Sequence, residues 1–210
     1  MDQLKPALMT LLWSSRSPFV RKVMVAAHET NLAHCLHLKR VVVSANKPNP
    51  EVMALNPLNK IPTLLLADGS ALYDSRVICE FFDSLGHGPG LIPPDAPSRW
   101  DALRLAALGD GLMEVIVLRL GEQNRESPSP THLHSFKLKI STALDQLEMG
   151  AGDLEGRLHI GQISVACALA HLDFRFAADG WRSGRPRLAT WYDAFATRAS
   201  MRATEYVDAY

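Results

Sequence analysis

Residues 14–22 read Ser-Ser-Arg-Ser-Pro-Phe-Val-Arg-Lys, and this segment decides the fold. The apolar run before it predicts a strand over 9–13, and the spacing of apolar residues after Pro18 predicts a helix over 20–29. A serine directly before a proline at the first helical position is a typical N-cap. The serine hydroxyls are therefore expected at the positive end of a helix dipole, where an anion or a thiolate is stabilised. A plain helix cap is the alternative interpretation of the same residues.

The composition is that of an ordinary globular protein. The 210 residues are 47% hydrophobic and 21% charged, with 22 basic and 22 acidic residues. This balance argues against nucleic acid or an anionic membrane as a partner. The apolar runs are shorter than the about 20 residues of a membrane span, and the N-terminus lacks the pattern of a signal peptide. The three cysteines have neither disulfide nor zinc spacing, which indicates a reducing, cytoplasmic location.

The first 86 residues alternate strand and helix patterns. Residues 35–43 predict a second strand, and a connection rich in Pro and Asn follows over 47–54. The apolar runs 63–66 and 71–73 flank an Asp-Gly turn, which is typical of a hairpin. A helix is then expected over 76–85, so the order is βαβ followed by ββα. The expected N-cap of that helix and its expected buried positions are Ser75, Val77, Ile78, Phe81 and Phe82.

The second half of the chain has helical patterns almost to its end. Gly and Pro residues predict a linker over 87–97, between a domain of residues 1–86 and a domain of residues 98–210. Helices are expected over 100–119, 132–147, 164–176 and 188–197. The segment 164–176 is nearly all apolar, which predicts a central buried helix. Ser164 is its expected N-cap, without the acidic residue that would complete a capping box.

Three motifs, in this order, resemble those of the glutathione transferase superfamily. The first is Ser-Pro-Phe-Val-Arg-Lys at 17–22, and the second is Asn-Pro-Leu-Asn-Lys-Ile-Pro-Thr-Leu at 56–64. The third is Leu-Tyr-Asp-Ser-Arg-Val-Ile at 72–78. The resemblance covers essentially the whole chain. It implies an N-terminal thioredoxin-like α/β domain, an all-helical C-terminal domain, and a homodimer in which these two domains meet across the interface.

The resemblance also implies a glutathione site, with glutathione as co-substrate, no other bound cofactor and no metal. In the family, the proline matching Pro62 is cis, so that the Ile61 backbone pairs with the cysteinyl part of glutathione. Free N–H groups and the Ser75 hydroxyl, at the start of a helix, suit the γ-glutamyl carboxylate. The residues expected to contact glutathione are Phe19, Lys47, Lys60, Ile61, Pro62, Asp74 and Ser75.

The resemblance leaves two candidates for the catalytic hydroxyl that stabilises the thiolate. Alignment on Pro-Phe matches Ser17 to the serine of tau-type members and the cysteine of omega-like ones. Alignment on the strand end matches Ser14 to the first serine of zeta-type members and the cysteine of beta-type ones, and Ser15 is a third alternative. No tyrosine precedes Tyr73, and no cysteine precedes Cys35. The tyrosine-type mechanism and a mixed disulfide at this loop are therefore not expected.

The resemblance implies a serine-type, bacterial-like transferase that conjugates glutathione to small hydrophobic electrophiles. Its hydrophobic site is expected to be lined by Trp13, Phe19, Leu112 and Val115. Two alternatives remain: a non-catalytic binding or regulatory protein of the same fold, and a glutathione-dependent isomerase or peroxidase. His132 and His134 have a metal-like spacing, but no acidic or cysteine partner is evident in the sequence, so exposed helix positions are expected.

Overall fold

The chain forms two compact units. The computed structural model describes residues 8–86 and 90–208. The first unit runs to Ile92 and also includes the segment that begins at Ala203, whereas the second unit is Pro93–Arg202. Among the described residues, no helix combines the length and the apolar character that a membrane span requires.

The boundary between the units lies within the predicted linker, residues 87–97, of which 87–89 lie outside the described residues. The sequence prediction assigned all of 98–210 to one helical domain, but the segment from Ala203 groups with the first unit. Its contacts with the loop at 14–17, described below, account for this grouping.

The first unit is a mixed four-stranded sheet with helices. Its strands are β1 (Met9–Trp13), β2 (Leu36–Arg40), β3 (Thr63–Leu65) and β4 (Ala71–Leu72), in the order β2-β1-β3-β4. β1 is parallel to β2 and antiparallel to β3, and β3 is antiparallel to β4. The helices are α1 (Pro18–Glu29), α2 (Pro50–Met53) and α3 (Ser75–Leu85). The predicted thioredoxin-like order βαβ-ββα is confirmed.

One hydrophobic cluster connects the core of this unit to the predicted site. Leu12, Val41 and Val52 are buried together, and Val43, Leu55 and Ile61 pack against them. The Ile61 side chain is thus anchored in the core, which fixes the position of its backbone. β2 is shorter than the predicted strand 35–43, because Cys35 closes a 3-10 turn and the chain leaves the β2 ladder after Arg40.

The start and the buried face of α3 differ from the prediction. Asp74, not Ser75, is the N-cap, since its Oδ1 accepts a hydrogen bond from the Arg76 N–H at 2.9 Å. Both residue types cap well, so only the backbone geometry distinguishes them. The expected burial of Val77 is also wrong, because Val77 is 45% exposed. The buried face of the helix is formed by Ser75, Ile78, Cys79 and Phe82.

The second unit is all-helical, as predicted. Its helices are α4 (Ser98–Gln123), α5 (Pro130–Met149), α6 (Ile160–Phe176), α7 (Pro186–Ala196) and α8 (Ala199–Arg202). Every residue from Ile160 to Leu172 is buried, which confirms α6 as the central helix. α4 packs along it through two glycines, Gly109 of α4 and Gly161 of α6.

The predicted cap of the central helix is wrong. α6 begins at Ile160 and its N-cap is His159, so Ser164 lies inside the helix and is fully buried. His159 Nδ1 accepts a hydrogen bond from the Gly161 N–H at 3.2 Å, and Gln162 Oε1 accepts one from the His159 N–H at 2.7 Å. A capping box is therefore present. The sequence prediction missed it because histidine is not among the residue types that usually cap helices.

Candidate functional site

The strand register brings the loop after β1 next to the segment before β3. Leu12 of β1 pairs with Thr63 of β3 in an antiparallel ladder. Because β1 ends one residue later, the loop 14–17 leaves the sheet beside Ile61 and Pro62. Two motifs that are about forty residues apart in the sequence thus meet at one end of the sheet.

The same end of the sheet receives the other two predicted segments. Leu64 of β3 pairs with Leu72 of β4, so Asp74 and Ser75 follow β4 at the end where β3 begins. β2 runs parallel to β1, and the connection over 41–49 therefore also starts at this end. The structure thus gathers all the segments that carry the predicted glutathione contacts.

Two hydroxyls in the loop accept backbone hydrogen bonds. Ser17 is the N-cap of α1, and its Oγ accepts the Val20 N–H at 3.3 Å. Ser14 Oγ accepts the Arg16 N–H at 3.3 Å. Neither hydroxyl donates to another group within the described parts of the chain. Since a hydroxyl carries one proton and two lone pairs, Ser14 and Ser17 can each still donate to a ligand.

The third hydroxyl is occupied by the C-terminal segment of the chain. Ser15 Oγ donates its proton to the backbone carbonyl of Val207 at 2.8 Å. Arg16 Nε lies 2.7 Å from Asp208 Oδ1 in an ion pair. Nothing in the local sequence around residue 15 indicates these contacts, because the partner is 192 residues away.

The segment before β3 is organised by a buried asparagine. The Ile61–Pro62 peptide bond is cis, as expected. Asn56 is 2% exposed, and its Nδ2 donates to the Lys60 carbonyl and to Thr63 Oγ1, both at 3.1 Å. Asn56 thereby sets the shape of the loop on either side of Ile61. Asn56 belongs to the motif at 56–64, but the motif alone does not indicate this role.

A second asparagine joins this loop to the 41–49 connection. Asn59 Oδ1 accepts the Asn49 N–H at 3.0 Å, and Asn59 Nδ2 donates to the Ser44 carbonyl at 3.3 Å. Asn59 has a φ of 53°, in the left-handed region that asparagine tolerates better than most residues. Lys47 and Lys60, the two predicted cations, are both exposed on the segments joined in this way.

The start of α3 offers unpaired donors. Ser75 is 2% exposed, and within the described residues neither its N–H nor its hydroxyl has a hydrogen-bond partner. The Asp74 cap occupies the Arg76 N–H instead, and the Tyr73–Asp74 peptide bond is cis. Unpaired N–H groups at a helix N-terminus favour an anionic ligand.

The residues predicted to line a hydrophobic site lie in different units. Trp13 and Phe19 are half-buried in the first unit. Leu112 and Val115 belong to α4 of the second unit. Leu112 is buried, with 4% of its surface exposed, and Val115 is half-buried. Their joint role in one site stays a prediction.

The histidine pair lies on the surface of α5. His132 and His134 are both exposed. His132 Nδ1 lies 3.9 Å from Glu122 Oε2, an acidic neighbour that the sequence spacing does not show. Over the described ranges, no three His, Cys, Asp or Glu side chains come together in a metal-binding group.

Comparison with known proteins agrees with this geometry. The family model for the glutathione S-transferase N-terminal domain matches residues 16–85, and that for the C-terminal domain matches residues 131–194. A glutathione transferase family member from Pseudomonas fluorescens Pf-5, solved with bound glutathione, is 41% identical with a TM-score of 0.92. The alignment covers 95% of this chain and 99% of that one. The chain belongs to the glutathione S-transferase family.

The chain is also similar to other known proteins. A second structure from the Pseudomonas strain, with bound S-(propanoic acid)-glutathione, is 41% identical with a TM-score of 0.88, over 95% of this chain and 100% of that one. The uncharacterized GST-like protein YibF of Escherichia coli K12 is 30% identical over 202 residues, 94% of this chain and 98% of YibF. A stringent starvation protein A homolog of Coxiella burnetii is 34% identical over 98 residues, 46% of this chain and 44% of the homolog.

Proposed function

We propose that this family member is a glutathione transferase of the serine type. It binds glutathione, lowers the pKa of the glutathione thiol and directs the thiolate at a small hydrophobic electrophile. The observation that carries this proposal is the state of Ser14 and Ser17, which accept backbone N–H bonds while keeping a proton to donate. Ser14 precedes α1 and Ser17 caps it, and the dipole of this helix favours negative charge at its N-terminus.

The remaining predicted contacts account for the rest of the tripeptide. The Ile61 backbone is proposed to pair with the cysteinyl residue, as an added strand would. The unpaired Ser75 N–H and hydroxyl are proposed to bind the γ-glutamyl carboxylate. Lys60 and Lys47 are proposed to face the glycyl carboxylate, where their exposure leaves the ammonium groups accessible to a ligand. Pro62, Asp74 and Phe19 shape the edges of this site.

The energies involved are sufficient for thiol activation. Each pKa unit corresponds to about 1.4 kcal/mol of preference for the thiolate. A hydrogen bond to a charged group contributes about 1.5–3 kcal/mol, and a helix N-terminus adds about 0.3–1 kcal/mol. One hydroxyl and α1 together are therefore sufficient to lower the thiol pKa by at least about one to two units. The proton released from the thiol goes to solvent.

The thiolate then forms a carbon–sulfur bond with the electrophile. The leaving group departs with its electron pair, or an epoxide opens and its oxygen takes up a proton. Trp13 and Phe19, both half-buried in the first unit, are proposed to contact the apolar part of this second substrate. The Pseudomonas relative with bound S-(propanoic acid)-glutathione supports a site that accepts glutathione carrying a substituent on sulfur.

A pH titration of the thiolate absorbance of glutathione, with the protein in excess, tests this function. We expect a pKa lowered by about one to two units relative to free glutathione. Binding with an unchanged thiol pKa would contradict thiol activation. Failure to bind at millimolar glutathione would contradict the site as a whole.

A non-catalytic, regulatory role is the second candidate. A 98-residue similarity to a stringent starvation protein A homolog, whose name states no transferase activity, is consistent with it. The pH titration of the glutathione thiolate distinguishes the transferase from the regulatory protein. A regulatory member that has lost thiol activation leaves the pKa of the glutathione thiol unchanged. If the pKa is lowered without conjugation of test electrophiles, glutathione-dependent isomerase and peroxidase substrates are the next to be assayed.

We further propose a cytoplasmic homodimer. All three cysteines are buried and none forms a disulfide, which fits a reducing compartment. Tyr73 and Val77 of the first unit are 37% and 45% exposed, and Val117 of the second unit is 40% exposed. These apolar side chains are available for an interface of the kind that the family resemblance implies. Light scattering at micromolar concentration tests whether the protein has the mass of a dimer.

A further inference from the structure

We propose that the C-terminal segment, residues 203–208, positions the thiol-activating loop, with Asp208 and Tyr206 as positioning residues. This inference rests on the proposed function of that loop. Three contacts carry it: Ser15 Oγ to the Val207 carbonyl at 2.8 Å, Arg16 to Asp208 at 2.7 Å, and an Arg21–Tyr206 cation–π contact.

The contacts of Arg16 connect the C-terminal carboxylate to Ser14. Arg16 uses its guanidinium to bind Asp208, while its backbone N–H donates to Ser14 Oγ at 3.3 Å. The Arg16 N–H orients the Ser14 hydroxyl, so a shift of Arg16 changes where the remaining Ser14 proton points. The Ser17 N–H also donates to the Ser14 carbonyl at 3.3 Å, so Ser14 and Ser17 move together.

The contact of Arg21 connects the same segment to Ser17. The Arg21 guanidinium lies 4.5 Å from the centre of the Tyr206 ring, and Arg21 is 8% exposed. Its backbone N–H donates to the Ser17 carbonyl at 3.0 Å, in the first turn of α1. Each candidate thiol donor is therefore bonded to a residue that the C-terminal segment holds. This arrangement holds Ser14 and Ser17 in place before glutathione binds.

The positioning role affects activation more than binding. The proposed contacts with the glutathione carboxylates and the cysteinyl backbone come from Lys60, Ile61 and Ser75, which lie on other segments. Loss of the Asp208 contact is therefore expected to raise the thiol pKa of bound glutathione while leaving the Kd for glutathione nearly unchanged. A general loss of folding would weaken both.

The test compares Asp208→Asn, Arg16→Met and the double variant with the wild-type protein. The thiol pKa of bound glutathione is followed by thiolate absorbance, and the Kd is measured by calorimetry. We expect each single variant to raise the pKa by about half a unit, which is about threefold less thiolate at neutral pH. The double variant should match the singles, because each removes the same ion pair. Asp208→Glu should restore the wild-type pKa.

A matched control makes the same chemical change elsewhere. Asp193→Asn removes an Asp193–Arg182 ion pair of 3.4 Å in the second unit and should leave both the pKa and the Kd unchanged. A Tyr206→Leu variant gives an independent measure of the Arg21 contact, with circular dichroism confirming that each variant is folded.

The outcomes separate this inference from the proposed function. If the wild-type protein lowers the thiol pKa and Asp208→Asn, Arg16→Met and Tyr206→Leu all do so equally, the positioning role is overturned and thiol activation stands. If the wild-type protein leaves the thiol pKa unchanged, thiol activation fails and the positioning role fails with it. If the folded variants bind glutathione more weakly to the same extent as they lose the pKa shift, the positioning role is also overturned. That result would indicate general damage to the site.

Discussion

Gly109 of α4 lies so close to Ser164 of α6 that a Cβ atom on Gly109 would fall 2.6 Å from the Ser164 carbonyl carbon. The same atom would be 2.7 Å from the Ser164 Cβ and from the Val165 nitrogen. Distances under 3.0 Å essentially never occur for real Cβ atoms, so these two helices are in backbone contact at this point. The contact sets the spacing of the central helix pair in the second unit.

Gly109→Ala should therefore destabilise the protein. The atoms that would clash belong mainly to the backbone of α6, so the helices must move apart, at a cost of about 2–3 kcal/mol in the free energy of unfolding. Urea denaturation measures the change. Gly121→Ala in the same helix is the control, because nothing lies within 4 Å of its added Cβ. It should gain about 0.5 kcal/mol from helix propensity and chain entropy. Equal stability of both variants would refute the close contact.

Substitution of the loop serines identifies the thiol donor. Ser17→Ala removes a hydroxyl and the cap of α1, so we expect kcat/KM for a test electrophile to fall about tenfold and the free energy of unfolding by about 1 kcal/mol. Ser17→Gly also lacks the hydroxyl but weakens the cap by only a few tenths of a kcal/mol. It should therefore reproduce the loss of activity with little loss of stability. Ser14→Ala is measured beside them, and the donor is the serine whose removal raises the thiol pKa more. Wild-type activity in all three variants would rule out activation by a hydroxyl.

Asn56→Asp should damage the loop that carries Ile61. The change replaces an amide donor with a buried carboxylate that faces two oxygens, those of the Lys60 carbonyl and Thr63 Oγ1. Loss of these bonds, together with burial of an unpaired charge, should cost about 3 kcal/mol of stability and weaken glutathione binding. Asn46→Asp makes the same chemical change at an exposed site and should alter stability by less than about 0.5 kcal/mol. Thermal melts and calorimetry with glutathione measure both effects.

The capping histidine makes stability depend on pH. Burial lowers the pKa of His159 below 6.5, although the charge of Asp101 acts in the opposite direction. The unfolded chain therefore takes up the proton more readily than the folded one. The stabilisation is complete above pH 6.5 and is lost as the pH falls through the lower, folded-state pKa. His159→Ser keeps a capping oxygen without a titrating group, so its unfolding free energy should fall less over the same range. Parallel pH profiles for the two proteins would contradict this role of His159.

Much of the fold was predictable because its signals are local. A serine and a proline mark the start of α1, an Asp-Gly turn marks the β3–β4 hairpin, and apolar spacing marks the long helices. The errors arose where two neighbouring residues suit the same role, as at Asp74 and Ser75, or where an unusual residue type takes it, as at His159. Such choices depend on backbone geometry that a pattern of residue types does not contain.

The candidate site likewise has features that the sequence predicts and features that it does not. The cis Pro62, Lys60 and the serine loop follow from motifs, and the sheet register brings those motifs to one edge. The asparagine bonds around Asn56 and Asn59 could not be assigned from sequence, because an asparagine side chain has several possible partners nearby. Only the folded loop selects among them.

Residues adjacent in the chain were enough to indicate the family, the order of the elements and the presence of hydroxyls at a helix start. The hydrogen-bond partners of those hydroxyls are defined only in the folded chain. Ser15 gives its proton to the carbonyl of Val207, 192 residues away, whereas Ser14 and Ser17 accept N–H groups from their own loop and helix. A local hydrogen bond follows from residue type and spacing. A contact between distant segments depends on how the C-terminal segment folds back onto the first unit, which no local pattern encodes.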